Sequence, residues 1–186
     1  MINEFSVKAK STNRNARVVF ITSLIITLLG AVAYVVARAL SVEKSGLVGF
    51  VPLIAITVAV FFYNKYISSV YYYDVTFDSQ GYALFVVRQV IGKRQSTLCR
   101  IGLAEILKIE RETAAERRAH KTPSDHRRYV YLPTFMPEVT YRIIARSRYE
   151  RSEIRIECSD EFASLLRDYA AEAAEMQRIV DEKEEY

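Results

Sequence analysis

The stretch Arg17–Tyr66, RVVFITSLIITLLGAVAYVVARALSVEKSGLVGFVPLIAITVAVFFYNKY, decides the fold. It holds two apolar runs, Val18–Ala37 and Leu47–Tyr63, joined by a short polar turn from Arg38 to Gly46. The first run has no charged side chain across twenty residues. As a helix rising about 1.5 Å per residue it is roughly 30 Å long, the thickness of a bilayer's hydrocarbon core. The second run is shorter and carries Pro52 near its start. Phe50 and Val51 in front, with Lys65 and Tyr66 behind as interfacial anchors, bring it into spanning range. Two spans joined by so tight a turn predict a helical hairpin over residues 18–67.

Working outward, residues 1–17 carry Lys8, Lys10, Arg14 and Arg17 against Glu4 alone, with Ser, Thr and Asn between them. They read as a flexible basic tail, of the kind retained on the cytoplasmic side. A cleavable signal peptide is the rival reading, because Ala37-Arg38-Ala39 resembles a small-residue cleavage site. Against it, the apolar core exceeds the usual length and a second apolar run follows. An even number of spans returns the chain to the cytoplasm, so the expected location is the inner membrane, multi-pass, with both termini cytoplasmic.

Charge is unevenly divided. Residues 1–64 hold 6 Lys/Arg against 2 Asp/Glu, residues 65–159 hold 17 against 11, and residues 160–186 hold 3 against 9. Basic residues beside a bilayer serve as retention signals or anionic-lipid contacts, which argues against a nucleic-acid partner. Cys99 and Cys158 lie in strand-like runs and read as small buried hydrophobes, with no sign of an oxidising compartment.

From Val70 the periodicity changes from helical to two-fold: Tyr71, Tyr73, Val75 and Phe77 alternate with Tyr72, Asp74 and Thr76. This puts a boundary near Ser68-Ser69 and one folded domain over 68–186, close against the membrane. Asp78–Gly81 is a turn, Tyr82–Ile91 a strand, and Gly92-Lys93 the turn of a hairpin whose second arm is Arg94–Ile101. A fourth strand spans Glu105–Glu112; its charged end, Glu110 to His120, is equally compatible with a helix. A loop at 113–127 carries Arg117, Arg118, His120, Lys121 and His126. Strands follow at Arg128–Leu132, Val139–Ser147 and Ser152–Cys158, the last with Ile154, Ile156 and Cys158 inward and Glu153, Arg155 and Glu157 outward. Ser159 caps a closing helix whose Phe162, Leu165, Leu166, Tyr169, Ala173, Met176 and Ile179 recur at helical spacing, with fraying beyond Val180.

Tyr71-Tyr72-Tyr73-Asp74-Val75-Thr76, the Gly81 turn, Ile91-Gly92-Lys93-Arg94 and Leu103-Ala104-Glu105-Ile106 are similar to bacterial membrane-anchored proteins in which a pleckstrin-homology-like (PH-like) domain follows a helical hairpin. The resemblance covers residues 18–180. It implies an α+β membrane protein: a two-helix hairpin, then an antiparallel β-barrel or sandwich closed by a C-terminal amphipathic helix. It also implies that the open end of the barrel receives headgroups or peptides, where Arg88, Lys93, Arg94, Arg117, Arg118 and Lys121 would supply cations. The alternative for these six is a solvated, membrane-facing surface.

No Gly-rich phosphate loop, His-Glu-x-x-His or Gly-x-Ser-x-Gly occurs, so the expectation is no catalysis, no metal and no cofactor. His120 and His126 beside Asp125 are a weak metal signal set against a solvated loop. Glu110, Glu112 and Glu116, alternating with Arg111, Arg117 and Arg118, read as a solvated salt-bridge face. Two functions fit: a membrane-anchored, non-catalytic binding or scaffolding module, or a subunit or assembly factor of a larger membrane complex. In the second, Gly30, Ala31, Ala33, Ala37, Ala55, Thr57 and Ala59 are small residues that admit close helix approach, to another membrane protein or within the hairpin itself.

Overall fold

In a computed structural model, described here for residues 2–9, 11, 13–40, 46, 49–121, 123–147 and 150–184, the chain divides into two units. One is Thr12–Ser69; the other joins Met1–Ser11 to Val70–Tyr186. The turn residues 41–45, the start of the second apolar run at 47–48, the turn residues 148–149 and the last two residues of the acidic tail lie outside the described residues.

The first unit is a pair of packed helices, α1 (Arg14–Ala39) and α2 (Phe50–Phe62), the latter extended by a wider turn over Tyr63–Ile67. Both are long and apolar enough to cross a membrane, and few of their side chains are buried. Val18, Ile21, Leu28, Val35, Leu53 and Ile54 are each more than half exposed, a surface that water solvates poorly. Close approach rests on small residues, as expected for Gly30, Ala55 and Ala59. A Cβ on Gly30 would lie 3.1 Å from Pro52 Cδ, and Ala55 and Ala59 are buried. Ala31 and Ala33 instead point outward. Thr27 and Thr57 donate to the carbonyls of Ser23 and Leu53, each at 2.8 Å, which satisfies the hydroxyls without water.

The second unit contains two four-stranded sheets. Strands β1 (Phe5–Lys8), β2 (Ser69–Phe77), β3 (Ala83–Ile91) and β4 (Arg94–Gly102) form sheet A in that order. After a 3-10 turn at Leu103–Glu105, sheet B comprises β5 (Ile106–Thr113), β6 (His126–Tyr131), β7 (Val139–Ser147) and β8 (Glu150–Ile156) in the order β5-β7-β8-β6. A short helix, α3 (Ala114–Ala119), separates β5 from β6, and α4 (Asp160–Glu184) closes the fold. The inward residues Tyr73, Val75, Phe85, Val87, Ile143, Ile154 and Ile156 are fully buried with Leu166 of α4.

Four expectations change. The flexible tail at 1–17 contributes a strand: β1 pairs antiparallel with β2, Phe5 opposite Val75 and Lys8 opposite Tyr72, and Phe5 packs edge-on to Phe162 at 5.8 Å. The sheets are not wholly antiparallel and do not close into a barrel. β6 runs parallel to β8, because the crossover through α3 carries the chain past the far side of β8 before β7 returns between β5 and β8. The charged stretch Glu110–His120, readable as strand or helix, is divided: Glu110–Thr113 completes β5, and Ala114–Ala119 winds into α3 from a reciprocal cap in which Glu116 N–H donates to Thr113 Oγ1 at 3.3 Å and Thr113 N–H to Glu116 Oε2 at 2.7 Å. Helix α4 continues four residues past Val180.

Candidate functional site

The sequence-predicted cations fall into three different surroundings. The first is the end of sheet A from which the helical unit departs. The chain leaves the sheet just after β1, where Ala9 N–H donates to Tyr71 carbonyl at 2.9 Å, and it returns at the start of β2. The β2–β3 turn lies at the opposite end, held by Asp78 Oδ1, which accepts from the amides of Gln80 (2.9 Å) and Tyr82 (2.8 Å). The end of β3 therefore runs back alongside the start of β2, and Gln89 Nε2 donates to the Tyr71 hydroxyl at 3.2 Å. Three residues on, Gly92 takes φ +59, and Ile91 pairs with Arg94. Lys93 and Arg94 are thus exposed at the tip of this turn, on the same end of the sheet as residues 9 and 70.

Arg88 is committed elsewhere. Its guanidinium forms a two-pronged pair with the buried Asp74 carboxylate (Nη2 to Oδ1 2.8 Å), lies 5.8 Å from the Tyr72 ring and reaches Ser6 Oγ at 3.4 Å. It thereby ties β1, β2 and β3 together, and the hydrogen bond to Asp74 raises its pKa above the ordinary arginine value. Arg117 is likewise structural: it donates to Pro137 carbonyl at 2.8 Å and to Thr140 Oγ1 at 3.4 Å, which seats α3 against the start of β7. Arg118 and Lys121 are exposed beside it.

Sheet B carries a feature that alternation hid. Glu153 and Arg155, expected to face solvent, are 1% and 0% exposed, and Glu112 is 5% exposed. Arg155 lies 3.2 Å from Glu112 through Nε and 3.0 Å from Glu153 through Nη2. Arg142, directly across from Arg155 in the β7–β8 register, pairs with Glu110 of β5. Two guanidinium groups on neighbouring strands repel unless carboxylates intervene; Glu110, Glu112 and Glu153 fill that role. Burial lowers the Arg155 pKa while the two carboxylates hold it up. Glu110 is held below the usual carboxylate range by Lys108 and Arg142.

The segment after α3 folds onto this cluster, with His120 Nε2 3.1 Å from Glu153 Oε2 and its ring against Arg142. His126 faces Asp125 at 3.9 Å instead, so the two histidines do not share a site. Among the described residues no three His, Cys, Asp or Glu side chains are arranged to hold a metal ion. The available signal was the match of opposite charges at alternate positions of three strands: Glu110 and Glu112, Arg142, and Glu153 and Arg155. Of the solvated face expected here, Glu112 is buried against Arg155, while Glu110 is half-buried between Lys108 and Arg142.

Cavities open elsewhere in this unit. A shallow dish of about 400 Å³ on sheet A contains Ser6, Asp74, Thr76, Val86, Thr97 and Arg100. A larger groove of about 840 Å³ lies between the β2–β3 turn, the end of β4 and the last turns of α4.

No protein-family model, curated protein or solved structure matches the chain.

Proposed function

We propose that this chain is a membrane-anchored, non-catalytic binding or scaffolding module, in which α1 and α2 form a transmembrane hairpin and the sheet unit is PH-like and cytoplasmic. The observation that carries the reading is the pairing of β1 with β2. These strands flank the helical unit in sequence, yet Phe5, Ser6, Val7 and Lys8 pair with Val75, Asp74, Tyr73 and Tyr72. Both ends of the hairpin are therefore fastened one strand spacing apart, about 4.8 Å. Two spans satisfy that constraint; one span would put β1 and β2 on opposite sides of the bilayer, and cleavage after Ala39 would discard β1.

The exposed apolar surface of both helices supports insertion. Two sheets closed by one C-terminal helix support the PH-like reading. The basic residues Arg14, Arg17 and Lys65 flanking the spans favour a cytoplasmic sheet unit. At the hairpin end of sheet A, Lys93 and Arg94 are exposed cations available to anionic headgroups, as is Lys8 at the end of β1, with Arg118 and Lys121 as more remote candidates. Arg88 and Arg117 serve the fold.

The test uses the full chain in nanodiscs, with a fluorophore on Gln95→Cys in a background lacking Cys99 and Cys158. Replacing zwitterionic lipid by 30 mol% phosphatidylserine is expected to increase quenching by headgroup-attached acceptors, an effect lost in 0.5 M salt or in Lys93→Gln/Arg94→Gln. Quenching independent of lipid charge would reject the headgroup contact.

A further inference from the structure

Helix α3 is held to sheet B without an apolar anchor. None of its six residues, Ala114–Ala119, is buried. A helix this short, with nothing in the core, depends on polar ties, which open at lower free energy than the core does. At its start the ties are the Thr113–Glu116 cap and the Ala114 N–H, which donates to the Glu138 carbonyl at 2.9 Å. Arg117 then holds it to Pro137 and Thr140. At its far end the tie is His120, whose ring is partly buried.

His120 stands between opposite charges. Its Nε2 lies 3.1 Å from Glu153 Oε2 on β8, and Arg142 Nη1 on β7 lies within 2.7 Å of both ring nitrogens. A guanidinium offers only N–H groups, so a neutral imidazole can receive it through a lone pair and still donate its one N–H to Glu153. An imidazolium has no lone pair, and at that range it sets two cations in contact.

The surrounding charges point the same way. In the cluster the cations Lys108, Arg128, Arg142 and Arg155 outnumber the carboxylates Glu110, Glu112 and Glu153. Glu153 is already 3.0 Å from Arg155 and stands opposite Arg128 in the β6–β8 register, so its attraction for a further positive charge is shared. The segment that carries His120 adds Arg117, Arg118 and Lys121. Lys108 and Arg142 hold Glu110 below the usual carboxylate range, and the bonds to Thr113 do the same for Glu116, so both keep their charge where an imidazole gains one.

We infer that His120 is an acid-released latch: neutral, it ties the end of α3 to Glu153 and Arg142; protonated, it is expelled by Arg142, and the end of α3 lifts from sheet B while the sheets stay folded. Release leaves Glu153 and Arg142 open to water, so the module changes its charged surface between neutral and mildly acidic surroundings. The latch lies within the sheet unit and does not depend on membrane insertion of the helices.

The experiment puts a nitroxide on Arg118→Cys, an exposed position of α3, or on Gln95→Cys of β4 as a reference, in the detergent-purified full chain with Cys99 and Cys158 replaced by Ala. Electron paramagnetic resonance spectra are recorded from pH 7.5 to pH 5.0, across the range where a free imidazole, of pKa about 6.5, gains its proton. The mobile fraction at position 118 is expected to rise at least threefold toward pH 5.0, with none at position 95. His120→Gln should abolish the rise, and His120→Lys, cationic throughout, should be mobile already at pH 7.5. A rise that persists in His120→Gln overturns the inference and assigns the change to another group, such as Glu157, which burial raises and which holds Thr134 in the corner that receives Arg117. A spectrum indifferent to pH, or an equal rise at position 95, overturns it too. So does a label that is less mobile in acid or in His120→Lys, where pairing with Glu153 would have won over repulsion by Arg142.

Discussion

The Tyr73 hydroxyl joins the two sheets: it donates to the Tyr131 carbonyl oxygen at 3.1 Å and accepts the Glu157 N–H at 3.2 Å. Tyr131 returns the link by donating to the Leu98 carbonyl on β4 at 3.0 Å. Sheet A and sheet B are thus held together by phenols where no backbone ladder closes a barrel. Replacing Tyr73 by Phe leaves the half-buried Glu157 amide without that acceptor, which costs about 1–3 kcal/mol. A fall in the midpoint of thermal unfolding of the purified full chain measures it; an unchanged midpoint would show that the sheets do not depend on this bridge.

The same phenols set the alkaline limit. Burial raises Tyr73 well above the ordinary tyrosine value and pushes Tyr131 up to about 12; burial and the hydrogen bond to Asp160 do the same for Tyr141, also to about 12. A phenol whose folded pKa exceeds its unfolded value of about 10 contributes its full stability below that pH and loses it as pH rises through the folded value. Unfolding midpoints should therefore fall steadily above pH 10, and a tyrosinate absorbance titration should show these three of the 13 tyrosines still protonated at pH 11 in the folded protein. Complete ionisation at pH 11 without unfolding would contradict their burial.

Arg155 separates two kinds of damage. Arg155→Ala strands Glu112 and Glu153 in a dry site and should destabilise by about 3–5 kcal/mol. The triple change Arg155→Met/Glu112→Leu/Glu153→Leu removes the stranded charges with their partner and should recover much of that loss, although His120 then loses Glu153. Equal denaturation midpoints for Arg155→Ala and the unaltered protein would mean that the cluster is solvated.

The thiols should be sluggish. Burial pushes Cys99 up to about 11 and Cys158 up to about 12. At pH 8 the thiolate fraction of each is then roughly a hundredfold or more below that of an unperturbed cysteine. Iodoacetamide should alkylate the folded protein at least that much more slowly than the denatured chain. Comparable rates would show that both thiols are open to water.

The sheet strands, the Gly81 and Gly92 turns and the Ser159 cap were legible because each follows from local periodicity or backbone conformation; of the α4 stripe Phe162, Leu166 and Ala173 are buried, whereas Leu165, Met176 and Ile179 are exposed and Ala163 and Ala170 take their place inside. Phe162 N–H does donate to Ser159 Oγ, at 3.2 Å, and both glycines take positive φ. Strand β1 was not legible: four residues, FSVK, carry no period of their own and become a strand only because β2 offers an edge and Phe162 and Tyr169 a place for Phe5. The parallel β6 is a consequence of crossover topology, which no local pattern encodes. Glu153 and Arg155 alternate with Ile154 and Ile156 as surface residues do; their burial comes with partners more than 30 positions away, His120 for Glu153 and Glu112 for Arg155. Of the predicted cations, sequence pointed to Lys93 and Arg94 through the turn, but it could not tell Arg88 and Arg117 from free charges, because their partners lie on other elements.

The most direct test of the account is the sidedness of two positions. In a chain whose Cys99 and Cys158 are replaced by Ala, Leu40→Cys at the end of α1 and Lys93→Cys on the β3–β4 turn are each exposed to a membrane-impermeant maleimide on intact cells. A hairpin anchored at both ends to one cytoplasmic sheet predicts labelling of residue 40 from outside and of residue 93 only after lysis. Labelling of residue 93 on intact cells, or recovery of the protein in the soluble fraction without detergent, would contradict it.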